Sequence, residues 1–127
     1  MSDSERISLV VPVYNDPEGI STTLESFLEQ SINDFRIVVV DNGSTDRTPN
    51  VVRSYDDDRL TLVHEREVQS SYAARNTGIR NTNAEILAFV DADMTVPEDW
   101  LESALHTFQT TDADYMGCNV ELTLPDD

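Results

Sequence analysis

Lysine is absent from this chain, and its only basic side chains are eight arginines set against 25 acids, a formal net charge of −17 over 127 residues. With no basic patch to neutralise phosphates, nucleic acid is excluded as a partner. The lack of lysine also excludes a P-loop, which needs Gly-Lys-Ser/Thr. Cysteine occurs once, as Cys118. A lone thiol forms no internal disulfide, and a small buried hydrophobe is the expectation there. No apolar stretch approaches the roughly 20 residues that a membrane span requires. The opening Met1-Ser2-Asp3-Ser4-Glu5-Arg6 is polar and acidic rather than a secretory leader, so the expected location is cytoplasmic. Without such a leader, the glycosylation match at Asn42-Gly43-Ser44 reads as chance. Repeats, low-complexity tracts and linkers are missing too.

The composition is informative in what it does contain. A length of 127 residues with 39 % apolar content suits one domain with one core. An acidic, lysine-free surface suits solvation at high salt, where self-repulsion is screened, so a halophilic source is expected. An anionic ligand can bind such a chain only where a metal or an arginine reverses the local sign.

The organising stretch is Ile86-Leu87-Ala88-Phe89-Val90-Asp91-Ala92-Asp93. Five apolar residues run unbroken and stop at two carboxylates spaced i, i+2, the pattern of a parallel-sheet strand buried on both faces. Open α/β sheets bind ligands at the carboxyl ends of their strands. Alternate residues of an extended chain point the same way, so Asp91 and Asp93 can address one ligand. Carboxylates are hard ligands for Mg²⁺ or Mn²⁺, often shared with substrate phosphates. Taken alone, the same tripeptide also fits an acidic strand-to-helix loop.

The rest of the chain alternates in the same way. Ile7–Val13 is a strand followed by Tyr14-Asn15, and Asp16-Pro17 caps a helix to about Gln30 with Ile20, Leu24, Phe27 and Leu28 on one face. Phe35–Val40 is a second strand closed by Asp41, and Asn42-Gly43-Ser44-Thr45 is turn chemistry. Thr48-Pro49 reads as cap plus proline for a short helix, and Asp56-Asp57-Asp58 as a solvated loop. Leu60–His64 is a short strand, and Ser70-Ser71 caps a helix through about Asn81. After the organising strand, Thr95-Val96-Pro97-Glu98 matches a capping box for a helix carrying Leu101, Ala104, Leu105 and Phe108. Tyr115–Leu124 is a candidate fifth strand. The order β-α-β-α-β-α-β-α-β predicts an α/β fold, three layers with a mainly parallel sheet and right-handed crossovers.

Three strand ends carry ligand-suited polar residues: Tyr14-Asn15, Asp41 to Asp46, and Asp91-Ala92-Asp93. A dinucleotide-binding Rossmann domain would need glycines after the first strand, where Tyr14-Asn15-Asp16-Pro17 has none. Receiver domains and sugar-activating nucleotidyltransferases fit poorly, the first for want of its lysine and the second for want of a glycine-rich basic loop. Val11-Pro12-Val13-Tyr14-Asn15, Val40-Asp41-Asn42-Gly43-Ser44-Thr45-Asp46, Ala74-Arg75-Asn76-Thr77-Gly78 and Phe89-Val90-Asp91-Ala92-Asp93 together, in this order, resemble glycosyltransferase family 2. The resemblance runs from Ile7 to about Gly117 and covers the family's N-terminal, nucleotide-sugar-binding part, with a Rossmann-like GT-A fold.

That resemblance implies roles for particular residues. Asp41 would hydrogen-bond the uracil of a UDP-sugar, with Pro12 flanking the base through its backbone and Tyr14 stacking on it. Asp91 would face the ribose or a metal-bound water, Asp93 would coordinate Mn²⁺ or Mg²⁺, and Arg75 would offset phosphate charge. Uridine rather than guanosine rests on the family alone. The implied reaction is inverting: an acceptor hydroxyl attacks the anomeric carbon as the nucleoside diphosphate leaves, and a base removes the hydroxyl proton. The family's base lies well beyond the Asp-x-Asp motif, so no catalytic base is assigned here. The expectation is a donor-binding half lacking its acceptor half, with a glycan, lipid or protein as acceptor. Its exposed sheet edge would favour self-association. The competing expectation is a non-catalytic module that binds a nucleotide-sugar or pairs with another chain. His64 and His106 have no partner at metal-ligand spacing, Trp100 is expected to pack the last helix on the sheet, and Tyr72 either lines the cleft or is structural.

Overall fold

The computed structural model describes residues 7–110. Four strands, β1 (Ile7–Val13), β2 (Phe35–Asp41), β3 (Leu60–His64) and β4 (Ile86–Phe89), alternate with α1 (Pro17–Leu28), α2 (Thr48–Arg53), α3 (Ser71–Arg80) and α4 (Trp100–Thr110). The sheet order is β3-β2-β1-β4, and every pairing is parallel. The predicted α/β architecture is therefore the one observed. The candidate fifth strand and Cys118 lie outside the described residues.

Side-chain alternation along β1 and β2 builds the two sides of the sheet. Leu9, Val11, Ile37 and Val39 enter a large core closed by Ile20, Leu24 and Phe27 of α1, Val52 of α2 and Leu101 of α4. Val10, Val38 and Val40 enter a smaller one closed by Ala74 of α3 and by Phe89. Gly78 explains how close α3 can come: a Cβ there would sit 2.3 Å from Val10 Cγ1. Connections leave β1 toward β2 and β3, then cross to β4 on its other side. The order thus reverses between β1 and β4, where open sheets of this kind form a ligand crevice.

Several element ends differ from the sequence expectation for identifiable reasons. Asp16 does cap α1, accepting the Gly19 N–H at 3.1 Å with Pro17 in the first turn. The helix stops at Leu28 rather than Gln30, whose side chain instead bonds the Ser26 and Pro97 carbonyls and the Leu101 N–H. Thr48 is not the cap of α2. Arg47 holds that position with no side-chain bond, and the Thr48 hydroxyl is committed to Asp46 and to the Asp16 N–H.

The capping box at Thr95 does not form, and α4 begins only at Trp100. The cause is competition from α1, whose Ser26 hydroxyl takes the Val96 N–H at 2.8 Å and donates to the Val96 carbonyl. That holds the segment against α1 instead of letting it coil. Trp100 meets Phe27 of α1 edge-to-face, centroids 5.8 Å apart, so it packs helix to helix within the large core. Within the acidic loop after α2, Asp57 is bound by the Arg59 guanidinium, while Asp56 and Asp58 are exposed.

Candidate donor-binding site

Four loops leave the carboxyl edge of the sheet, and those of β1, β2 and β3 are stitched into one unit. Asn15 adopts φ 49, which asparagine tolerates. Its N–H donates to Ser44 Oγ at 2.9 Å, and its Oδ1 accepts the Thr45 N–H at 2.8 Å. Gly43 supplies the other left-handed residue of this corner at φ 87. Asn42 donates its side-chain amide to the carbonyls of Glu65 and Val68 at 2.9 and 3.0 Å, and Gln69 donates back to the Asn42 carbonyl at 3.2 Å. Glu65 clamps the β3 loop, accepting the Thr77 hydroxyl and the N–H groups of Glu67 and Val68. Those bonds, the one from Thr77 foremost, hold its carboxyl below the usual range.

Asp41 ends β2 and is buried, with 2 % exposure. Its Oδ2 accepts the Ser44 N–H at 3.2 Å and lies 3.6 Å from His64 Nδ1. Its Oδ1 is buried and has no protein partner. An unmatched carboxylate oxygen inside a protein is costly, and here it is an acceptor waiting for a donor. Pro12 is half-buried near the end of β1, and Tyr14 just beyond it is 47 % exposed, which leaves its ring accessible to a planar ligand.

Asp91 and Asp93 follow β4 and are both exposed. Their loop is laid along α1: the Asp93 N–H reaches the Gly19 carbonyl at 3.0 Å and the Met94 N–H reaches Thr23 Oγ1 at 2.9 Å. Asp93 takes φ 76, a conformation held by those bonds. No group of three His, Cys, Asp or Glu suited to a metal occurs among the described residues. Two free carboxylates nevertheless fit Mg²⁺ or Mn²⁺, ions that take one or two protein carboxylates and complete their shell with water and phosphate oxygens. Arg75 of α3 lies over the Phe89 ring, Cζ 5.7 Å from its centroid, and its buried Nε has no partner.

The structure thus sets Pro12, Tyr14, Asp41, Asp91 and Asp93 along one edge, with Arg75 packed over the last residue of β4. Tyr72, 73 % exposed, is not a core residue. His64 has no partner nearby in the chain that would mark it in the sequence. Its partner, Asp41, emerges only from the β2–β3 register, which pairs the two directly.

An all-parallel sheet with a polar ligand edge and paired terminal carboxylates defines the class as an α/β nucleotide-type binding fold. Residues 8–126 match the sequence family described as Glycosyl transferase family 2, and the chain belongs to that family. Glycosyltransferase AglE of Haloferax volcanii is 41 % identical over 123 residues, 94 % of this chain and 40 % of that protein. Putative glycosyltransferase EpsH of Bacillus subtilis is 34 % identical over 92 % of this chain and 34 % of its own length. The chain therefore spans between a third and two-fifths of these curated relatives. Among solved structures, the mannosyltransferase PcManGT from Pyrobaculum calidifontis, in complex with GDP-Man and Mn²⁺, superimposes with TM-score 0.73 at 37 % identity. That match covers 79 % of this chain and 31 % of that one. S. aureus TarS 1-349 in complex with UDP gives TM-score 0.76 at 28 % identity, over 83 % of this chain and 32 % of that one. These GT-A neighbours share the fold described above.

Proposed function

We propose that this chain is the donor-binding part of an inverting, metal-dependent glycosyltransferase that takes a nucleoside-diphosphate sugar, with UDP-sugar as the first choice. The observation that carries it is the pairing of a buried acceptor, Asp41 Oδ1, with two exposed carboxylates, Asp91 and Asp93, on one sheet edge. The relatives' names and the neighbours' complexes with GDP-Man, UDP and UDP-GlcNAc support the same reading.

Asp41 selects the base. A carboxylate oxygen accepts the imide N–H of uracil and equally the ring N–H of guanine, whereas cytosine and adenine present a bare ring nitrogen there. Tyr14 supplies a face for the ring, and Pro12 borders it. Asp91 and Asp93 would hold Mn²⁺ or Mg²⁺ against the diphosphate, where the ion supplies charge stabilisation for the leaving group. Arg75 adds positive charge near the phosphates in a chain that has little of it. In the transfer itself, an acceptor hydroxyl oxygen forms the new bond to the anomeric carbon, the bond to the diphosphate oxygen breaks, and the hydroxyl proton passes to a base. No described residue is assigned as that base. Acceptor recognition and the acceptor half belong, on this proposal, to sequence outside the donor part.

The proposal extends to conditions. A net charge of −17 without lysine, together with the Haloferax relative, supports work at high salt, so thermal stability should rise with molar KCl. The direct test is calorimetric titration of UDP in molar KCl with and without Mn²⁺, beside Asp93→Asn, which keeps a residue tolerant of φ 76. Metal-dependent binding lost in the variant supports the proposal, and metal-independent binding of equal strength in both proteins overturns it.

A further inference from the structure

We infer that His64 is a positioning residue for base recognition: its ring N–H at Nδ1 orients the Asp41 carboxylate so that Oδ1 stays free for the ligand. The inference rests on Asp41 being the base acceptor. The register places His64 directly beside Asp41 on the neighbouring strand, so both side chains stand on the same face of the sheet. Nδ1 is buried, 3.6 Å from Asp41 Oδ2, and has no hydrogen-bond partner. The His64 side chain is only 22 % exposed and that of Asp41 4 %, so water screens neither group well.

At 3.6 Å the pair is not yet a hydrogen bond. It is still close enough for the sign of the contact to matter. A bare Nδ1 would turn a lone pair toward a carboxylate in a poorly solvated corner, which is repulsive, whereas an N–H there is attractive. The proton of the neutral ring therefore belongs on Nδ1. With the Ser44 N–H on the same oxygen, both protein donors converge on Oδ2, and none reaches Oδ1. The division of labour follows: one oxygen is anchored by the fold, and the other is presented to the base. The neighbouring Glu65 does not compete, because its carboxylate is taken by Thr77, the Glu67 and Val68 N–H groups and, at 3.9 Å, Arg80.

The geometry of the imidazole provides a sharp test. An asparagine amide at position 64 reproduces a donor near Nδ1, a glutamine amide one near Nε2, and leucine neither. UDP affinity should fall on the order of 10-fold in His64→Leu and His64→Gln, as the Asp41 carboxylate loses its orientation, and be largely restored in His64→Asn. Equal losses in all three variants, each checked for folding by circular dichroism, overturn the inference in favour of plain packing. Asp41→Asn separates the two levels of reading. If it leaves UDP binding intact, the base assignment itself fails; if it weakens binding while His64→Leu does not, only the role of His64 fails. A measurement without ligand adds an independent decision. Long-range ¹H–¹⁵N spectra of the wild type, which has two histidines, should show His64 as the Nδ1–H tautomer, identified by its disappearance in His64→Asn. The Nε2–H tautomer in its place overturns the proposal.

Discussion

Asp41 and the Asp91–Asp93 pair are the same functional group placed in opposite surroundings. Asp41 is buried at the end of an interior strand, one oxygen bonded and the other bare. The pair stands exposed on the loop that follows β4, with the Asp93 backbone rather than the carboxylates tied down. A buried carboxylate is a poor trap for a hydrated cation but a strong acceptor for a neutral N–H, because little water competes. An exposed pair discriminates weakly between neutral donors, yet it can give up hydration to a divalent ion that arrives with its own phosphate ligands. On the proposed function, burial alone would sort five-membered patterns such as Val-Val-Val-Asp-Asn and Phe-Val-Asp-Ala-Asp into a base reader and a metal end.

The contrast can be broken from either side. The largest effect is expected at the exposed end: Asp93→Asn should remove Mn²⁺-dependent UDP binding, a loss of about 100-fold or more, with little change in melting temperature. If the variant unfolds instead, Asp93 is structural and the contrast collapses. Next comes Asp41→Asn, which should weaken UDP binding about 10- to 100-fold in calorimetry, with or without metal. Its folding stability should hold or rise, since a buried charge with an unmatched oxygen is removed. A stability loss with unchanged affinity would reverse the assignment.

Gly78→Ala probes the scaffold rather than the carboxylates. A methyl group 2.3 Å from Val10 Cγ1 must push α3 off the sheet, at a cost of about 1–3 kcal/mol in denaturant unfolding. Wild-type stability in that variant would mean that α3, and with it Arg75, is held more loosely than its packing implies.

Asp57 sits between the two extremes, part-buried and paired. The Arg59 hydrogen bond draws its carboxyl down from 3.8 to about 2. Because the folded value is the lower one, the ionised form is favoured by folding. The stabilisation is complete above the unfolded value and is lost as pH falls through about 2. Asp57→Asn should therefore cost about 1 kcal/mol near neutral pH, after allowance for solvent screening, and converge on wild type in acid. A cost independent of pH would remove the ion pair from the account.

Much of this was legible in the sequence because period and punctuation agree. Unbroken apolar runs ending at Asp41 and Asp91 read as buried parallel strands, and Asp16-Pro17 and Ser70 read as caps that do form. What failed were local signals overruled by tertiary partners. Thr48 and Thr95 both carry cap chemistry, but from distant parts of the chain Asp16 drew the Thr48 hydroxyl and Ser26 held Val96 against α1. His64 failed for a related reason. Its role depends on which strand lies beside β2, and sequence order does not state spatial order. The left-handed turn at Asp93 was likewise invisible, since its cause is the Gly19 carbonyl across the sheet edge.

The first turn of helix α1 is tied to two loops of the candidate site at once. Its cap, Asp16, bonds Thr48 after the β2 loop, while Gly19, Thr23 and Ser26 hold the loop that carries Asp93. A helical turn does not stretch, so on the proposed reading the Asp16–Gly19 turn fixes the spacing between the loop that follows Asp41 and the loop that carries Asp93. On that reading a ligand would be measured by length as well as by chemistry: a nucleoside diphosphate would have two landmarks to register against that spacing, and a nucleoside or a free diphosphate only one.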